Sequence, residues 1–191
     1  MRSVWIVPIV ASALGSVALM GAPAQAATST YYATSATASS VYQGARGQQA
    51  WSTWQATGAP NVKVCGDDKN AWATDKAIGI STLVVGFAKA VKPVEIDVWS
   101  SNVPRSLVKV EANVGTVRNP IWVTVLSRGP RDPLGTGATC LQSGADRVVP
   151  HRIKKGVTGV TMPSRAVVQL RLTVNEITDY AGEVDAVALV G

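Results

Sequence analysis

The residues with the widest chemical reach lie between Trp51 and Trp72, in the run WSTWQATGAPNVKVCGDDKNAW. Indoles stand there among Gly58, Pro60, Asn61, Gly66, Asp67 and Asp68, all turn formers, so the run reads as an irregular loop rather than a helix or a long strand. Large aromatic faces in such a loop either plug one end of a core or present an apolar platform to a ligand. A sugar suits a platform of this kind, because the C–H face of a pyranose stacks on an indole while a few polar groups fix its hydroxyls. The candidate platform is Trp51 or Trp54, with Asn61, Asp68, Asn70 and Arg105 as polar partners. Trp99, at the end of an alternating segment, reads as a packing residue.

Catalytic constellations are weaker. His151 is the only histidine, lies between Pro150 and Arg152 with no nucleophile motif nearby, and reads as a surface residue. Asp97, Glu111, Glu176, Asp179, Glu183 and Asp185 could supply two carboxylates for glycoside hydrolysis, but no spacing singles out a pair facing one cleft. No GxGxxG, P-loop, HExxH or CxxC occurs. The two cysteines, Cys65 and Cys140, cannot fill a structural zinc shell with one histidine unless carboxylates join them.

The first 26 residues read as an export signal: Arg2, the apolar run VWIVPIVASALGSVALM, then Ala24 and Ala26 in the small-x-small arrangement that precedes cleavage. Cleavage after Ala26 leaves no membrane span and a mature chain of about 165 residues, enough for one domain with a real core. In an oxidising compartment an even pair of cysteines is most simply one disulfide, closing a loop of about 75 residues.

The elements that must position the loop are strands. Residues 81–87 (STLVVGF), 94–99 (VEIDVW), 107–112 (LVKVEA) and 121–126 (IWVTVL) are short and β-branched, most of them alternating with period two. In VEIDVW, Val94, Ile96 and Val98 face one way and Glu95 and Asp97 the other, which predicts a wet outer face. Further strands are expected at 147–149, 156–162, 166–174 and 184–190. Residues 27–37 read as a flexible lead-in, with a first edge strand near 38–42. The Gly/Pro-rich run 127–145 reads as a surface excursion pinned by Cys140. Eight or nine strands without crossover helices predict one antiparallel β-sandwich over residues 38–191.

The formal charge is +6, falling to +5 when Arg2 leaves with the signal. Arg128, Arg131, Arg147, Arg152, Lys154 and Lys155 are the nearest thing to a basic cluster. Without interleaved aromatics they read as a solvated face rather than a nucleic-acid surface, with attachment to anionic wall polymers as the alternative.

The order Trp51, Gln55-Ala56, Gly58-Ala59-Pro60-Asn61, Cys65-Gly66-Asp67, Ala71-Trp72, followed by LVVGFAKAVKPVEIDVWSSN, RSLVKVEAN and the closing EVDAVALVG, resembles the galactose-binding-like (discoidin-like) jelly rolls. Within them it is most similar to the secreted modules related to the pappalysin scarf domain. The resemblance implies two antiparallel sheets of about eight strands, loops at one end that bind ligands, often glycans, no catalysis, and Trp72 in the core. It also implies a structural calcium ion near the first loop and last strand, for which Asp67, Asp68 and Glu183 are the candidate ligands. The turn Ser100-Ser101-Asn102-Val103-Pro104-Arg105 departs from the family pattern. The expectation is a secreted, non-catalytic module binding an extracellular carbohydrate; the alternative is a structural or adhesive surface protein that contacts another protein.

Overall fold

Period-two alternation turns the chain into eleven strands, seen in a computed structural model that describes residues 27–75, 79–102, 106–129, 140, 148–176 and 182–191. Residues 1–26, expected to be an export signal, and Arg105 lie outside the described residues. The strands are β1 (Thr30–Tyr32), β2 (Ser35–Ala38), β3 (Trp72–Ala73), β4 (Gly79–Val91), β5 (Glu95–Trp99), β6 (Leu107–Asn113), β7 (Trp122–Ser127), β8 (Pro150–Lys154), β9 (Val167–Glu176), β10 (Glu183–Val184) and β11 (Ala186–Val190). Their sheets run β1-β11-β5-β8, β2-β4-β9-β6-β7, and the small pair β10-β3.

Every pairing among them is antiparallel. The predicted all-β sandwich is the observed fold. Leu83, Val85, Val110, Ala112, Leu170 and Leu172 from the five-stranded sheet meet Ile96, Val98, Ile153, Val187 and Leu189 from the four-stranded one in a single core. Trp72 is fully buried there, its indole N–H donating to the Ser40 carbonyl at 3.1 Å.

The structure departs from the sequence reading in places where tertiary pairing overrides a weak local pattern. The segment read as a lead-in carries β1 and β2, because small residues such as Ala33 and Ala36 pack on the core while the backbone pairs with β11 and β4. Of the strand expected at 156–162 only one bridge forms, Leu126 with Val160, and the strand expected at 147–149 begins instead at Pro150. Asp97 does face away from the core, yet it is buried beside Trp99, which packs with Tyr32, Ala186 and Ala188 on that outer surface.

Registry fixes which end carries the tryptophan loop. Gly79 lies opposite Glu176, Leu107 opposite Val174, and Trp99 opposite Ala186, so β4, β6 and β11 start where β5 and β9 end. The loop closes that end. Cys65 and Cys140 are bonded there, 4.9 Å apart between Cα atoms, as the two-cysteine argument predicts.

Candidate functional site

The loop is built on its own hydrogen bonds. After a 3₁₀ turn at Tyr42–Gly44, a second at Thr53–Ala56 carries Trp54, and Ala56 anchors that turn in the core. The Gln55 side-chain amide donates to the carbonyls of Gln48 and Gln49, and the Thr57 hydroxyl donates to the Trp54 carbonyl. Trp54 is 50% exposed on this fixed turn.

Trp51 is half-buried and sits in the left-handed region, φ 56°, a conformation that non-glycine residues hold only where their surroundings impose it. Three bonds impose it here. Its N–H donates to the Lys69 carbonyl, its carbonyl accepts from the Ala73 N–H, and its indole N–H donates to Asp67 Oδ1 at 3.0 Å. The ring also tilts against Tyr42, with centroids 5.3 Å apart. Trp51 therefore fixes the rim, and Trp54 is the open aromatic face.

Beneath the loop lies a buried acidic step. Glu183, on β10, accepts from the Ser101 hydroxyl at 2.6 Å and from the Asp68 N–H at 3.1 Å. Burial pushes its carboxyl up to about 8; the Ser101 bond opposes the rise and the adjoining Asp67 carboxylate adds to it. Asp185 accepts from the N–H groups of Asn61 and Val62, yet burial still raises it to about 6. Asp68 Oδ1 takes both the main-chain N–H and the side-chain amide of Asn70 at 2.9 Å.

Of the residues selected from the sequence, Trp51, Asp67, Asp68, Asn70 and Glu183 are thus linked at one rim. Asn61 reaches it through its main chain while its side chain is exposed. Trp99 packs on the outer sheet face, as expected. His151, read as a surface residue, is instead a buried residue of β8, opposite Val98, where burial and the charge of Arg128 lower it to about 4. Alternation in a strand next to the Gly/Pro-rich excursion turned it inward. Residues missed by sequence reasoning are Ser101 and Tyr42, and Asp185 figures there only among the carboxylates available for hydrolysis. Two acids entering an apolar last strand, Glu183 and Asp185, were the available signal for the buried step; nothing in the sequence marked Tyr42.

Calcium takes six to eight hard oxygen ligands. The chemistry of the rim suits it: carboxylates of Asp67 and Glu183 adjoin, and among the described residues neither forms an ion pair. Yet no group of three or more His, Cys, Asp or Glu side chains among the described residues converges to hold a metal ion. Neutral oxygens would have to complete the shell.

The profile of the family described as "Pappalysin-1, SD scarf domain, C-terminal" matches residues 23–128. None of the curated proteins matches the chain. Among solved structures, the X-ray structure of chitosan-binding module 1, derived from a chitosanase/glucanase of Paenibacillus sp. IK-5, is 15% identical. That match covers 81% of this chain and 92% of that one, with a TM-score of 0.49. A selenomethionine-labelled mutant of the same module is also 15% identical, over 84% of this chain and 99% of that one, with a TM-score of 0.51. The latter likeness is one of fold.

Proposed function

Because the chain belongs to the Pappalysin-1 SD scarf domain family, we propose that it is an exported, non-catalytic module that binds an extracellular carbohydrate at the tryptophan-loop rim. The observation that carries this reading is Trp54, a half-exposed indole on a turn held rigid by bonds that do not involve its ring. A fixed aromatic face costs little entropy when a sugar stacks on it. Asp68 and Asn70, with Arg105 from the departing turn, supply polar groups for hydroxyls. The chitosan-binding modules that share the fold suggest the first sugars to try: chitosan carries ammonium groups, and the carboxylates of Asp67 and Asp68 are apt acceptors for them.

Trp54→Ala is expected to weaken binding to chitosan oligosaccharides, or to whichever glycan an array identifies, by about 10-fold or more, the scale of one lost aromatic stack. Its melting temperature should stay near that of the wild type, since the ring is half in water. Unchanged affinity in calorimetric titration would remove the platform from the site.

The same reading places calcium on Glu183 and Asp67, with Asp68 alongside. Adding millimolar calcium after chelation should raise the melting temperature, because a ligand bound only by the folded state stabilises it by mass action. In Glu183→Gln the rise should vanish. A wild-type melting curve indifferent to calcium rejects the metal while leaving the aromatic platform standing.

A further inference from the structure

The end of the sandwich opposite the tryptophan loop carries a second surface, formed by the hairpin between β6 and β7. Asn113 is fully buried and ties this hairpin together. Its Oδ1 accepts from the N–H groups of Gly115 and Ile121 at 2.9 and 3.0 Å, and its Nδ2 donates to the Thr116 carbonyl and to Gln169 Oε1. At the tip the Thr116 N–H donates to the Asn119 carbonyl and the Asn119 N–H to the Thr116 hydroxyl. The Val114 N–H donates to the Ile121 carbonyl, and Pro120 has no N–H to satisfy. A Cβ on Gly115 would come within 2.5 Å of the Asn119 carbonyl oxygen, so the turn closes only on glycine.

This hairpin meets its own turn requirements with Asn113, Gly115, Thr116, Asn119 and Pro120. The side chains of Val117 and Ile121 serve neither the turn nor the core, and the two residues stand 65% and 52% exposed with Arg118 between them. At the base of the hairpin a cleft of about 230 Å³ is lined by Val114, Val123, Met162 and Pro163 together with polar neighbours and Arg165. Cations flank the hairpin: Val91 lies opposite Val167, so Lys89, Lys92 and Arg165 share this end with Arg118, while Glu95, at the same end, is paired with Arg152 and Lys154.

We propose that the β6–β7 hairpin docks this domain on an anionic lipid surface, with Val117 and Ile121 entering the acyl boundary and Arg118, Arg165 and Lys92 meeting lipid phosphates. A protruding aliphatic tip needs a partner that yields, and a lipid surface yields where a protein would have to offer a matching pocket. Amides near a low-dielectric layer are best already bonded, and the N–H groups of Gly115, Thr116, Asn119 and Ile121 are bonded within the hairpin. Two aliphatic side chains and a few cations give reversible rather than permanent attachment. In this orientation the Trp54 end points away from the lipid, free to hold a glycan. The surface is independent of the glycan reading and stands or falls separately from it.

The test is co-sedimentation of the mature chain with vesicles of phosphatidylcholine alone or with about one-third phosphatidylglycerol, a composition that supplies an anionic surface potential. Retention is expected on the anionic vesicles only, and about 0.5 M salt should release it. Val117→Asp combined with Ile121→Asp should cut retention by about 10-fold or more, with an unchanged melting temperature because both side chains are exposed. Arg118→Gln combined with Arg165→Gln should weaken binding and flatten its salt dependence. No retention of the wild type, or equal retention of the aspartate variant, overturns the proposal. So does a wild-type dimer in sizing chromatography that the aspartate variant disperses without any vesicle binding, which would assign the tip to a second copy of the chain.

Discussion

Replacing both cysteines, Cys65→Ala with Cys140→Ala, is expected to lower the unfolding free energy by about 4 kcal/mol, the loop-closure entropy released to an unfolded chain no longer cross-linked across 75 residues. For a domain of this size that is a fall in melting temperature on the order of 10 °C. The loss should reach function as well as stability. The bond holds the chain next to Gly66, whose N–H donates to the Ser101 carbonyl at 2.8 Å, and Ser101 in turn holds Glu183. Thermal melts of the variant, and of the wild type under reducing conditions, check the figure. A drop of less than about 1 kcal/mol would mean that the unfolded chain gains little freedom when the bridge is cut.

Stability should also fall as pH rises through neutrality. Asp97 is raised to about 7, mainly by burial and then by the neighbouring Glu95 carboxylate, against the weaker pull of Arg152 and Lys154. Glu176 is raised to about 7 by burial, against one bond from the Gly182 N–H. Between their ordinary carboxylate values and these, the folded chain keeps protons that the unfolded chain has released. Their stabilising contribution is therefore full at acid pH and lost as pH climbs through about 7. His151 works the other way: held neutral down to about 4, it favours the fold increasingly between there and 6.5.

Above 6.5 the unfolded histidine sheds its remaining charge and its opposing effect fades, so the raised carboxyls dominate, each with a slope of at most about 1.4 kcal/mol per pH unit. Melting temperatures measured in chelator should decline from pH 6.5 to 8, and Asp97→Asn with Glu176→Gln should make the decline shallower, leaving the share that Glu183, raised to about 8, contributes. A flat or rising wild-type curve over that window would show that these side chains are solvated in solution.

Much of this molecule is legible without coordinates. The alternation in VEIDVW and in VVQLRLTV fixes β5 and β9, because one-sided burial admits a single register. An even cysteine count, together with the export signal expected over residues 1–26, names the disulfide, and the turn formers between Gly58 and Asp68 mark the loop that closes one end. Trp51, Trp54, Asp68 and Asn70 stand out as candidates by residue type in a turn-rich run, and Asp67 and Glu183 through the family resemblance. Their division of labour is not. Which indole is open and which is tied down depends on Tyr42, Lys69 and Ala73, brought in by pairings that local sequence does not encode.

Burial of polar groups is likewise a tertiary outcome. His151 and Asp97 sit at positions where alternation gives a face but not what covers that face, and the neighbouring sheet and Trp99 decide it. The grouping of Lys89, Lys92, Arg118 and Arg165 near the Val117 hairpin, and of Asp67, Glu183 and Asp185 beneath the tryptophan loop, arises because antiparallel strands return distant residues to common ends. Composition set only the total of +6. Short-range pattern determines strand, turn and covalent staple; chain folding alone places two chemically different surfaces at opposite poles of one sandwich.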